Sequence, residues 1–67
     1  MVEGTDRMFK RLYWAWYTHL GEGNEAGLAA YREVQAEIIE AGYSDHRTAE
    51  TAAQRIAEIE RLQAAQR

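Results

Sequence analysis

Apolar and polar positions recur with a helical period in three stretches of this chain. On a wheel of 100° per residue, Met8, Phe9, Leu12, Tyr13, Ala15, Trp16, His19 and Leu20 fall on one broad face. Arg7, Lys10, Arg11 and Thr18 fall opposite, with Trp14 among them and Tyr17 at their border. In the second stretch Leu28, Tyr31, Val34, Ile38 and Ile39 share a face, while Glu25, Arg32, Glu33, Glu37 and Glu40 share the other. The third sets Ala49, Ala52, Ala53, Ile56 and Ile59 along one seam, which Gln63 extends.

Start and stop signals divide the stretches. Thr5, Asn24 and Ser44 are each followed by an acid, Asp6, Glu25 and Asp45. The cap oxygen accepts from an orphan first-turn amide, and the carboxylate suits the positive end of the helix dipole. Gly21 and Gly42 follow Leu20 and Ala41, where a left-handed residue closes a helix, and no proline interrupts. The pattern predicts an all-α, single-domain three-helix bundle, with helices at about 6–20, 25–41 and 45–65. The short loop at Gly21-Glu22-Gly23 predicts antiparallel neighbours. The expected core is Phe9, Leu12, Tyr13, Trp16, Leu28, Val34, Ile38, Ile56 and Ile59. The third helix is expected to be the longest, its last turns overhanging the bundle with Leu62.

One residue does not fit that core. Trp14 lies about 160° from Trp16 on the wheel, so a single face cannot take both indoles. Either a further element covers Trp14, or it is exposed. An exposed indole beside Lys10, Arg11 and Tyr17 has the composition of a binding hot spot.

Length changes the picture next. The chain has 67 residues, and one of ~60 residues buries only about 60% of the surface its unfolded form exposes. No cysteine is present, so disulfides and thiolate metal sites are excluded. Extra stability has to come from close helix packing, self-association or a partner.

The net charge of −3 is unevenly placed. Arg32 against Glu22, Glu25, Glu33, Glu37 and Glu40 leaves residues 21–43 at −4, and the segments on either side are near neutral. No basic field of the kind that drives phosphate binding appears. The longest apolar run, Leu12 to Tyr17, is six residues, far short of the ~20 of a membrane span. With no basic n-region or apolar h-region at Met1-Val2-Glu3-Gly4, the expected location is cytoplasmic.

Catalytic chemistry finds little to work with. Ser44 is the only serine and is assigned to a cap; His19 and Glu22 are at most two ligands of a metal set. No cofactor is expected. Glu33, Glu37 and Glu40 line one helix face at i, i+4, i+7, which is either a solvated surface or a negative strip that docks on a basic partner.

The junction after the second helix carries a resemblance. The run Ala41-Gly42-Tyr43-Ser44, then Thr48-Ala49 and Arg55-Ile56, resembles the helix-turn-helix segment of phage terminase small subunits. The similarity covers about residues 34–56. That family engages the viral DNA packaging site through the segment. The resemblance therefore implies DNA contacts from Ser44, His46, Arg47 and Arg55, and a phage or mobile-element origin. Capping accounts for the same residues without DNA: Gly42 at C′, Tyr43 at C″ packing on Ile38, and Ser44 starting the next helix. The expected function is a non-enzymatic regulator or inhibitor that occupies a partner protein. Its surface is Lys10, Arg11, Trp14 and Tyr17 or the acids Glu33, Glu37 and Glu40. A small DNA-binding protein is the alternative.

Overall fold

The computed structural model describes residues 3–66, with side chains from residue 6 onward. It is an all-α three-helix bundle: α1 Glu3–Glu22, α2 Asn24–Glu40 and α3 Arg47–Ala65. α1 and α2 run antiparallel, setting Met8 near Ile38 and Arg11 against Glu37. α2 and α3 also run antiparallel, with Arg32 bonded to Glu60 and Gln66 beside Glu25. α2 is the central element, and both neighbours pack along it.

α1 and α3 meet over only a short stretch. There the Thr48 hydroxyl approaches the Met8 sulfur at 3.8 Å, and the Phe9 and His46 rings stand edge-on with centroids 5.9 Å apart. Farther along they are separated by a groove. The cross-section is accordingly wider than it is deep, 22 Å against 15 Å.

A single residue turns α1 into α2. Gly23 has φ 98° and ψ −175°, a region essentially closed to other residues. Its N–H donates the last bond of α1, to the His19 carbonyl at 3.0 Å, and its own carbonyl accepts the first bond of α2, from Gly27 at 3.0 Å. So sharp a reversal presses His19 onto Gly27, where an added Cβ would lie 2.6 Å from the His19 Cβ.

The α2–α3 junction closes by the motif that Gly42 and Tyr43 predict. Gly42 has φ 89°, its N–H donates to Ile39 O at 3.0 Å, and Tyr43 N–H donates to Ile38 O at 3.1 Å. These are the paired bonds of a Schellman motif, and Tyr43 packs on the core as its C″ residue.

The core centres on Tyr31, 1% exposed, with Met8, Ala15, Ala30, Val34, Ile38, Ala49 and Ile59 around it. Leu12, Leu28 and Ile56 border it.

Several sequence expectations need correction. Phe9, Tyr13 and Trp16 are exposed rather than core, and so are Ile39 and Ala53. The helix begins at Glu3, ahead of Thr5, whose side chain lies outside the described residues. α1 runs through Gly21 to Glu22, so Gly23 is the break. Gly23 also occupies the N-cap of α2, and Asn24 instead bonds His19 through its side chain at 2.8 Å. Ser44 is exposed and caps nothing; α3 starts at Arg47, and His46 Nδ1 accepts from Thr48 N–H at 3.2 Å. α3 is 19 residues against 20 in α1. Its last turn lies beside the first turn of α2 rather than overhanging it.

Candidate protein-interaction site

The two surfaces that the sequence offers to a partner face each other. Arg11 on α1 grips Glu37 on α2 with both arms of its guanidinium: Nε donates to Oε1 at 3.0 Å and Nη2 to Oε2 at 2.8 Å. Nη2 also reaches Glu33 at 3.4 Å. The Trp14 ring lies beneath, with the Arg11 Cζ 4.2 Å from its centroid. A fork on a carboxylate with an indole face behind it is a directed, preorganised contact. The Arg11 hydrogen bonds hold the Glu37 carboxyl below its usual range, and Glu37 in turn raises Arg11.

Those residues therefore clamp the α1–α2 hairpin. Lys10 pairs with Asp6 one turn back at 3.2 Å. Glu40 has no ion pair among the described residues, and lines an open depression with Arg7, Met8, Ala41 and Tyr43. Tyr17 leans on Trp16, centroids 5.2 Å apart, and not on Trp14.

The four residues offered to DNA lie in different settings. Ser44 and Arg47 are exposed at the start of α3. His46 is half-buried between Phe9 and Tyr43 and is occupied by the cap. Arg55 sits two turns along, 3.8 Å from Glu58, where it walls the groove beside α1.

That groove is the feature the sequence reading missed. Phe9, Leu12, Tyr13 and Trp16 line one side, Tyr31 the floor, and Thr51 and Arg55 the other side of a space of about 300 Å³. Phe9, Tyr13, Trp16 and Leu20 run down α1 at spacings of 4, 3 and 4. They are 37%, 58%, 39% and 64% exposed.

Angular width explains their exposure. The inward line of α1 is Met8 and Ala15, buried, with Leu12 and His19, half-buried, roughly 100° round the helix from the Phe9–Leu20 line. One neighbour covers only one such line, and α3 touches α1 only near its start. Trp16 and Trp14, both 39% exposed, flank the inward line from opposite sides. The sequence does contain a marker of that line. Ala15, Gly27 and Ala30 are small and buried, and small residues mark where two helix backbones approach closely.

Among the described residues no group of three acids or histidines could hold a metal ion, and no helix is long and apolar enough to cross a membrane. No family model, curated protein or solved structure matches the chain.

Proposed function

We propose that this protein is a non-enzymatic interaction module, a small regulator or inhibitor. It acts by docking the aromatic flank of α1, Phe9, Tyr13, Trp16, Tyr17 and Leu20, on another protein surface. The observation that carries this reading is the contiguous exposure of five large apolar side chains on one helix. A typical monomer's largest apolar patch is about 300–600 Å² and is often functional. Tyr and Trp dominate binding hot spots because they offer large contact area with few rotamers to freeze. The groove alongside accepts an apolar projection, and Arg55 at its wall supplies a charged rim. Trp14, Glu33 and Glu37 are left out of the docking face because each is already engaged by Arg11.

The test is site-specific photo-crosslinking in the native cell. A photoreactive phenylalanine analogue at position 13 should yield one adduct of defined mass, identified by mass spectrometry. Leu20→Glu should abolish it, and the same probe at exposed position 61 should give none. Absence of an adduct at 13, or the same adducts from both positions, overturns the reading.

A further inference from the structure

We infer that the occupant of this face is a second copy of the chain. Two α1 helices pair antiparallel about a two-fold axis between Tyr13 and Trp16. Phe9 then meets Leu20 of the second copy, and Tyr13 meets its Trp16. This rests on the docking face proposed above and names its partner.

The spacing of the stripe is the first argument. A two-fold interface requires that if residue i touches j, then j touches i. Spacings of 4, 3 and 4 read the same in both directions. Antiparallel pairing therefore sets every stripe residue opposite another, with none left facing solvent. They are also the spacings of a heptad seam, whose side chains interlock between helices.

Area is the second argument. At about 150–250 Å² per aromatic side chain, the exposed parts of Phe9, Tyr13, Trp16 and Tyr17 come to roughly 400 Å². Leu20 and the polar rim bring each copy to roughly 600 Å², or about 1,200 Å² for the pair, the lower bound of a stable specific interface. The lone chain is short of burial by a similar amount. It exposes 4849 Å², whereas a compact monomer of its 7.7 kDa exposes about 4,300 Å². Its radius of gyration is 12.0 Å against about 11 Å for a typical domain of this length.

Charge permits the pairing. The acids behind the net charge of −3 are concentrated on α2. Glu33 and Glu37 are gripped by Arg11 on the side of the hairpin away from the groove. The charges near the stripe are paired, Lys10 with Asp6 and Arg55 with Glu58. Two copies can approach there without like-charge repulsion.

The chain has no cysteine, so introduced thiols report geometry cleanly. Purified full chain is followed by sedimentation velocity from low micromolar upward, beside Leu20→Glu and Tyr13→Glu, with helicity checked by circular dichroism. Separately, Phe9→Cys and Leu20→Cys are oxidised alone and mixed. The expected result is a concentration-dependent species near twice 7.7 kDa that both charged variants abolish while staying helical. The mixture should give a disulfide that neither cysteine variant gives alone, because like positions lie roughly 16 Å apart along antiparallel helices. A disulfide in Phe9→Cys alone indicates parallel pairing and overturns the inference. So does a dimer indifferent to the charged variants. A wild-type monomer at every concentration also overturns it, yet leaves the docking face intact if position 13 still crosslinks a different protein in the cell.

Discussion

Gly21 and Gly27 are both helical glycines, and replacing them with alanine should move stability in opposite directions. Alanine in a helix interior is favoured over glycine by about 0.8–1 kcal/mol. At Gly21 nothing lies within 4 Å of an added Cβ, so Gly21→Ala should stabilise by up to about 1 kcal/mol. At Gly27 the added Cβ would lie 2.6 Å from both Cβ and Cγ of His19 and 2.7 Å from its Cδ2. The His19 Cβ is fixed by the backbone, so no rotamer change can clear it; α1 and α2 have to separate. Overpacking of this kind costs about 1–3 kcal/mol, which offsets or outweighs the propensity gain. Gly27→Ala should therefore destabilise by up to about 2 kcal/mol net, lowering Tm by about 4–8 °C per kcal/mol in a domain this small. Thermal melts of the two variants beside wild type decide it. If Gly27→Ala raises Tm as Gly21→Ala does, the α1–α2 approach described above is wrong.

Three further outcomes are expected. Glu37 is held below its ordinary value near 4.5 by Arg11, so its contribution is complete above that pH and disappears as pH falls through the folded value. Glu37→Gln should cost about 0.5–1 kcal/mol at neutral pH, and its stability should fall less steeply than wild type below about pH 4.5; equal slopes in acid denaturation would remove the clamp. With both indoles 39% exposed in the single chain, iodide should quench Trp14 and Trp16 alike in two single-tryptophan proteins that carry Leu20→Glu to keep the chain monomeric, and a protected Trp16 in that background would restore it to the core. If the terminase-like segment reads DNA, Arg47→Ala and Arg55→Ala should weaken a low-salt gel shift that salt itself weakens steeply; no shift at micromolar protein retires that proposal.

What the sequence made legible is what local chemistry decides. Three helices, and the turn at Gly42-Tyr43, follow from bonds that span five residues or fewer. The burial of Val34, Ile38 and Ile59 follows from a period that any helix shares. The start of α3 was misplaced because Ser44 is a good cap in isolation. The chain needs residues 43–46 to change direction, His46 N–H donating to Tyr43 O at 2.9 Å, and only then begins the helix. The Arg11–Glu37 pair spans 26 positions, which a wheel cannot show. On the wheel the two complementary faces are therefore unconnected. The aromatic error has the same origin. A wheel gives the width of an apolar face, but which line within it touches a neighbour depends on how many neighbours there are.

The packing also explains why α1 does not roll to bury that stripe within its own chain. Bringing Phe9 and Trp16 onto α2 requires turning α1 by roughly 100°. Ala15, fully buried, would leave the interface, and an indole would enter opposite Gly27 and Ala30, where the backbones leave room for little more than hydrogen or methyl. Arg11 would lose both bonds to Glu37 and its seat on Trp14. The Arg11 losses fall on the flank opposite the Phe9–Leu20 stripe. The clamp on one side of α1 and the small residues beneath it thus fix the helix rotation that turns the other side outward. A variant that loosens the hairpin, such as Gly27→Ala, should weaken binding at a face it never touches, by releasing that rotation.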